Sequence, residues 1–252
     1  MYAEERRHAL VEQARAEGRL SVGDAAEQFD VTPETIRRDF EALDRAGLLR
    51  RVHGGAVPPE LLALPERAVD TRESENAREK ERIALAALSL IPQGGSILLD
   101  AGTTTSRLAA LVPVDSTLIV FTNSLPAAQL LAARTSARVQ VFGGRVRPLT
   151  QATVGEPDAL ANLRVDVAFI GTNGVSERHG LSTPDWDEAA MKRRMVQCAD
   201  KVVVLTDSSK IGVETTVKFA ELDDVDVLVT DSGARRNLLK TLSAHRIEVI
   251  TT

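Results

Sequence analysis

Over the first sixty residues the apolar positions fall at helical spacings. Ala9, Leu10, Val11 and Ala14 stand among charges between Ala3 and Glu17, which predicts an amphipathic helix stopped by Gly18. Ser21 is placed to cap a short second helix running to Phe29. Thr32-Pro33-Glu34-Thr35 is a stronger start signal, a capping hydroxyl followed by proline where a missing N–H costs nothing. The helix it opens places Ile36, Phe40 and Leu43 on one face, and Gly47 is positioned to end it. Three short helices with a tight turn before the third predict a helix-turn-helix. The segment Leu48 to Ala56, with its Gly54-Gly55 turn, then reads as a β-wing.

Beyond Pro58-Pro59 the pattern changes. A charged stretch with little periodicity runs to Glu73, and a helix is expected from Ser74 to Leu90, with Ile83, Ala84, Ala87, Leu88 and Ile91 toward a core. From Ser96 onward short apolar runs alternate with small polar residues and helical stretches. The runs are 97–99, 118–121, 139–142, 165–170, 202–205, 227–229 and 247–250. Near-continuous apolar strands between helices predict an α/β fold with a mostly parallel sheet covered on both faces. The expected organisation is a winged helix-turn-helix over residues 1–57, a linker over 58–73 and an α/β domain over 74–252.

In such sheets ligands bind beyond the carboxyl ends of the strands. Those ends carry Asp100, Gly102, Thr103, Thr104 and Thr105; Thr122, Asn123 and Ser124; Gly143, Gly144 and Arg145; Gly171, Asn173 and Gly174; and Asp207 and Lys210. The first tract opens directly into a helix, so its N–H groups and hydroxyls form an anion site. It is neither a Walker loop nor a dinucleotide fingerprint. Each tract alone is an ordinary strand-to-helix turn, but five at one end of one sheet point to a hydroxyl-rich, phosphate-bearing ligand. In that reading Thr103 to Thr105 and Lys210 take the phosphate, and Asp100 and Asn123 take hydroxyls.

Composition narrows the options. The chain has 252 residues and a net charge of −5, and its hydrophobic content of 43% is ordinary for a globular protein. One cysteine, Cys198, excludes an internal disulfide and a cysteine-based zinc site, and the histidines show no ligand spacing. No metal or cofactor is called for. Without an apolar leader or a run of membrane-span length, the protein is expected in the cytoplasm, away from membranes.

An acidic chain is a poor nucleic-acid partner on average, but the local pattern matters more. Every basic side chain before Lys80 is an arginine apart from the two histidines. On the third helix Glu34, Thr35, Arg37 and Arg38 lie away from the apolar face, with Thr32 at its start. Arg50, Arg51 and His53 follow in the wing. An arginine pair is usually just a solvated helix face. Its place in the first turns of a third helix, with a second pair in the wing, favours contacts to bases and phosphates.

These residues carry a specific resemblance. Val31-Thr32-Pro33-Glu34-Thr35-Ile36-Arg37-Arg38-Asp39-Phe40, then Leu43, Gly47, Leu49 and Arg51-Val52-His53-Gly54-Gly55-Ala56, are similar to the DNA-binding signature of the DeoR family of bacterial sugar-operon regulators. Phe40 stands where the family more often has leucine. The resemblance continues through Gly143-Gly144-Arg145, 169–174, 179–184, 188–192 and 207–210, and implies an effector domain like ribose-5-phosphate isomerase and coenzyme A transferase. It implies DNA contacts by Thr35, Arg37, Arg38 and Arg51, operator DNA as partner, a phosphorylated sugar as effector and repression as the mode. Tyr2-Ala3-Glu4-Glu5-Arg6 with Arg51 to Val57 looks most like the fructose-operon repressors of high-GC Gram-positive bacteria, which implies fructose 1-phosphate. A homo-oligomer, dimer or tetramer, is expected because one helix-turn-helix makes too few contacts for operator affinity.

The rival reading is a sugar-phosphate isomerase that uses the same pocket. Asp185, Asp187 and Glu188 near Lys192 supply a carboxylate base and a cation in principle. Glu188 and Lys192, spaced i, i+4, are expected to form a surface ion pair. No stretch matches the isomerase's lysine-triglycine segment, and a DNA-binding domain serves no isomerase. His179 and Trp186 flank a loop and are expected to pack rather than bind ligand. Cys198 is expected to be a small core residue.

Overall fold

The N-terminal helices form where the capping residues stand. Helix α1 spans Ala3–Glu17, strand β1 Leu20–Ser21, helix α2 Val22–Gln28 and helix α3 Pro33–Arg45. Ser21 Oγ accepts the Asp24 N–H at 3.0 Å, and Thr32 Oγ1 accepts that of Thr35 at 3.2 Å, with Pro33 opening α3. Leu10, Val11 and Ala14 pack with Ala25, Ala26, Ile36, Phe40 and Leu43 in one small core, closed by Leu20, Leu49 and Ala56. Asp39, buried on α3, accepts Arg6 Nε at 2.6 Å and Arg7 Nε at 2.8 Å, clamping α1 to α3. Strands β2 (Arg50–Val52) and β3 (Gly55–Val57) pair antiparallel, and β3 also pairs with β1. Gly54 turns between β2 and β3 with φ of 71°, a conformation that favours glycine. The whole is a winged helix-turn-helix.

This computed structural model describes residues 3–17, 20–46, 48–52, 54–58, 68–155 and 157–252. The expected helix stops at Gly18 and Gly47, the wing histidine His53, and residues 59–67 of the expected linker lie outside them. The chain divides into two units, Met1–Pro65 with Pro184–Trp186, and Glu66–Thr183 with Asp187–Thr252.

The second unit begins in a way that departs from expectation. Where a single helix from Ser74 was predicted, α4 spans Val69–Ser74 and α5 spans Ala77–Ala87. Asn76 sits between them in the left-handed region, φ 51°. Lys80 explains the break: its buried ammonium donates to the carbonyls of Arg72 and Glu75, satisfying the end of α4. The charged residues before Ser74 thus belong partly to a helix, which a search for apolar periodicity cannot detect.

The apolar runs then become strands. Along the chain come β4 (Ser96–Leu99), α6 (Thr103–Leu111), β5 (Ile119–Thr122), α7 (Leu125–Arg134) and β6 (Arg138–Val141). A hairpin follows, β7 (Arg145–Arg147) and β8 (Ala152–Val154), then β9 (Val165–Gly171). Strands β10 (Gly174–Ser176) and β11 (Gly180–Thr183) precede α8 (Trp186–Gln197) and β12 (Ala199–Leu205). The chain ends with β13 (Val217–Ala220), β14 (Val227–Thr230), α9 (Arg236–Ala244) and β15 (Glu248–Thr251).

The seven predicted runs pair, all parallel, in the order β15-β14-β12-β9-β4-β5-β6. Ile97, Leu99, Val120, Phe169, Val203, Leu205 and Val229 pack on one side of that sheet with α5, α6 and α7. Strands β10, β11 and β13 form a separate small antiparallel sheet. Strand order reverses between β4 and β9, since β5 and β6 build outward on one side and β9, β12, β14 and β15 on the other. Ligands in open α/β sheets bind at that switch point. Among the described residues no helix is long and apolar enough to cross a membrane.

Candidate functional site

At the switch point, where ligands of such sheets bind, lies a narrow polar cleft. Its lining comes from the tips of β4 and β9 (Ala101 to Thr105 and Gly171 to Asn173), from Arg72 on α4, from Glu188 and Lys192 on α8, and from Leu205 and Lys210.

The β4 end is built for an anion. Gly102 starts α6 in an extended conformation, and no side chain caps the helix there. Its first N–H groups therefore lack the usual capping partner, and the helix dipole adds partial positive charge. Thr105 Oγ1 turns inward to the carbonyls of Asp100 and Gly102, at 2.6 and 2.9 Å, fixing the loop. The hydroxyls of Thr103 and Thr104 carry no hydrogen bond among the described residues.

Lys210 faces the same cleft, 3.7 Å from the buried carboxylate of Asp207. Burial pushes its ammonium down to about 8 against the pull of Asp207, and Arg72, Lys80 and Lys192 lower it further. Burial pushes Asp207 up, yet Lys210, Ser209 and Lys80 together hold its carboxyl below the usual range. Asp207 also accepts from Asn76 Nδ2 at 3.0 Å and from the Ser209 backbone at 3.2 Å. It anchors the turn that carries Lys210.

Four charges are buried on the other side. Lys192 Nζ donates to Asp100 and to the Gly171 carbonyl at 2.9 Å, and lies 3.5 Å from Glu188. Glu188 in turn accepts from Arg147 on the hairpin. Asp100 also takes the Gly171 N–H at 2.9 Å, while its other oxygen, Oδ1, is buried with no hydrogen bond among the described residues. Burial pushes the Asp100 carboxyl up, with Lys192 opposing. Glu188 and Lys192 were expected at the surface, and this expectation is corrected: they are 3% and 1% exposed. The i, i+4 spacing was read properly, but α8 turns that face inward.

The predicted ligand residues separate into groups. Gly102, Thr103, Thr104, Thr105, Gly171, Asn173 and Lys210 line the cleft. Asp100, Thr122, Asn123 and Ser124 do not; all four are buried and, Asp100 Oδ1 apart, engaged in internal bonds. Thr122 Oγ1 donates to the Leu99 carbonyl, Asn123 Oδ1 accepts from the Ala101 N–H, and Ser124 caps α7. Gly143, Gly144 and Arg145 follow the edge strand β6 and lie off the cleft. Gly144, at φ 138°, passes so near the Val154 carbonyl that a Cβ would sit 2.4 Å from it, and Arg145 pairs with Asp187 at 2.6 Å. Gly174 opens β10, and Asp207 acts through Lys210. His179 and Trp186 do not line the cleft. Cys198 is buried, and that burial pushes its thiol up. Arg72, Glu188 and Lys192 are the charged lining residues that the strand-tip rule missed.

In the N-terminal unit, α3 exposes its start. Arg37 and Arg38 have side chains 56% and 78% exposed and lie 3.3 and 3.9 Å from Glu34. Thr35 Oγ1 lies 2.9 Å from that of Thr32, and Arg51 is exposed on β2.

Two family models match in tandem. The DeoR-like helix-turn-helix domain covers residues 6–60, and the DeoR C terminal sensor domain covers residues 75–232. The chain belongs to the DeoR family. Among DeoR-family proteins it is 37% identical over 253 residues to the HTH-type transcriptional regulator GlpR of Haloferax volcanii, covering 99% of this chain and 98% of that one. It is 30% identical over 251 residues to the glycerol-3-phosphate regulon repressor of Escherichia coli K12, covering 97% of each. The ribose 5-phosphate isomerase A of Methanocaldococcus jannaschii superposes with a TM-score of 0.41 at 20% identity over 54% of this chain and 55% of that one. That likeness is too distant to bear on function. Family membership decides between the two readings of the pocket: this DeoR protein is a DNA-binding transcriptional regulator with a C-terminal sensor domain, not an enzyme.

Proposed function

We propose that this regulator represses a sugar-utilisation operon and is released from its operator by a phosphorylated sugar bound at the switch-point cleft. The observation that carries the proposal is the convergence of an uncapped helix N-terminus with Lys210 and Arg72. N–H groups, a helix dipole and two cations in one narrow cleft suit a phosphate. The hydroxyls of Thr103 and Thr104 add donors. In the N-terminal unit, Glu34, Thr35, Arg37 and Arg38 read bases and phosphates, with Thr32 at the helix start, while Arg50, Arg51 and His53 of the wing hold the backbone. A homo-oligomer in the cytoplasm presents paired units to repeated half-sites.

Arg72 gives the switch a route. It sits on α4, the first described helix after the residues that follow the wing, so a ligand that draws on Arg72 acts on the chain next to the DNA-binding unit. Linkage then requires operator DNA to weaken effector binding by the factor with which effector weakens DNA binding.

Fructose 1-phosphate is the proposed effector, on the likeness of the N-terminal and wing phrases to fructose-operon repressors. Glycerol 3-phosphate, named in the E. coli relative, is its natural competitor. Thermal unfolding against a panel of sugar and polyol phosphates tests the class. A ligand at a hundred times its dissociation constant adds about 2.7 kcal/mol, a midpoint shift of roughly 5–10 °C. A shift with fructose 1-phosphate that fructose and inorganic phosphate do not give supports the proposal. A shift with glycerol 3-phosphate instead replaces the sugar, and no shift with any member refutes the effector class. Lys210→Ala is expected to keep operator binding and lose the response.

A further inference from the structure

The cleft has two unlike sides. Toward α6 it offers N–H groups, Arg72 and Lys210; toward α8 it offers Lys192 and Glu188, the one carboxylate among its described lining residues. A carboxylate is a poor neighbour for a phosphate dianion, since like charges repel strongly where water is scarce. It is also an acceptor only, with about four positions for donors. Arg147 and Lys192 hold Glu188 from two directions at the cleft wall. Stability gives no reason for the arrangement, because a buried ionic network can often be replaced by apolar side chains at no loss. Asp100 pairs with Lys192 and Glu188 with Arg147, so the wall it presents is polar and carries charges of both signs.

We infer that Glu188, positioned by Arg147 and Lys192, accepts the hydroxyls of the bound phosphate ester and makes the cleft select polyhydroxy phosphates against phosphorylated carboxylates. This rests on the cleft being the sugar-phosphate site. The phosphate sits on α6 with Lys210, and the hydroxylated carbons run toward α8. A ligand with a carboxylate at that end meets Glu188 with like charge and no donor. Inorganic phosphate uses the first side alone.

Titration calorimetry on the full chain tests it with four probes: inorganic phosphate, glycerol 3-phosphate, fructose 1-phosphate and 3-phosphoglycerate. The unmodified protein is expected to bind the better of the two polyhydroxy esters at least about tenfold more tightly than 3-phosphoglycerate, the size of one hydrogen bond to a charged group. Glu188→Gln is expected to shrink that ratio severalfold and to leave inorganic phosphate binding unchanged. Because Glu188→Gln strands the Arg147 charge, the double variant Arg147→Gln, Glu188→Gln is measured alongside. It removes both partners and carries the test by the same criteria if the single variant does not fold. An unchanged ratio in the folded variant overturns the role of Glu188 while leaving the cleft as the effector site. Failure of the unmodified protein to bind either polyhydroxy ester overturns both.

Discussion

The two units of this regulator hold their candidate binding cations in opposite ways. On α3 the side chains of Arg37 and Arg38 stand mostly in solvent with Glu34 beside them. In the sensor, Lys192 is enclosed between Asp100 and Glu188, and Lys210 is largely buried next to Asp207. The difference follows from what each must recognise. DNA presents a long array of phosphates, so solvated charges act by summing many weak, salt-dependent contacts. A small ester presents one phosphate, and a buried cation must supply most of the attraction alone. Desolvation makes each such charge count, and it ties the charge to the stability of the fold.

That coupling sets the largest expected effect. Lys192→Met leaves the carboxylates of Asp100 and Glu188 buried without their shared cation, and breaking such a pair costs about 3–5 kcal/mol. The sensor's unfolding midpoint is expected to fall by roughly 6–20 °C. Removing an exposed arginine of α3 is expected to leave stability within about 0.5 kcal/mol. Calorimetric unfolding of both variants checks the contrast. Equal midpoints would remove the distinction between buried and exposed charge.

Among its described residues the N-terminal unit buries two charges, Arg6 and Asp39, and their pair sharpens the comparison. Asp39 does not face away with Arg38 but accepts from Arg6 and Arg7, so it belongs to packing rather than recognition. Asp39→Ala is expected to cost about 2–4 kcal/mol, less than Lys192→Met because Arg7 is partly solvated and needs no partner. Operator binding should be lost only in proportion to the unfolded fraction, measured by circular dichroism in parallel with DNA binding. Loss of binding in a fully folded variant would move Asp39 into the DNA-contacting set.

Arg38→Ala should show the reverse. Operator affinity is expected to fall by about 1–3 kcal/mol, and if Arg38 holds a phosphate the salt slope should fall by about one. Effector affinity and the unfolding midpoint should not move. A DNA titration at several salt concentrations reads both quantities.

The sequence made the first unit legible because its signals are local. The cap at Thr32, proline at the first helical position and the spacing of Ile36, Phe40 and Leu43 specify α3 without reference to anything distant. The parallel sheet was legible for a related reason: its inner strands are covered on both faces and read as apolar runs. The strand-tip rule then located half of the cleft, at Gly102 to Thr105 and Gly171 to Asn173. It failed for Gly143 to Arg145, because an edge strand's tip lies away from the switch point, and strand order is not written in any one strand. It also missed α8. An i, i+4 Glu–Lys pair looks the same in sequence whether it faces water or a cleft, and only the partners Asp100 and Arg147, far away along the chain, tell the two apart. Arg72 was hidden in a short charged helix that lacks an apolar stripe.

The smallest expected effect follows from Lys210. Its ammonium is held near 8, below the ordinary lysine range, so between about pH 8 and 10.5 the unfolded chain carries a proton that the folded chain lacks. Stability of the free protein should therefore rise across that window, and below pH 8 the cost of the buried charge is present in full. Effector binding should run the other way, since a phosphate ester needs the charged form. The ester is already largely dianionic at pH 7, its second pKa being about 6, so the ligand does not titrate over this range. Affinity should hold to about pH 8 and be about tenfold weaker at pH 9 than at pH 7, about 1.4 kcal/mol. Lys210→Met is expected to bind weakly at pH 7 and to show no such fall. Calorimetry at the two pH values decides the matter: parallel losses in both proteins would place the titrating group elsewhere in the cleft and deny that the buried lysine supplies the attraction.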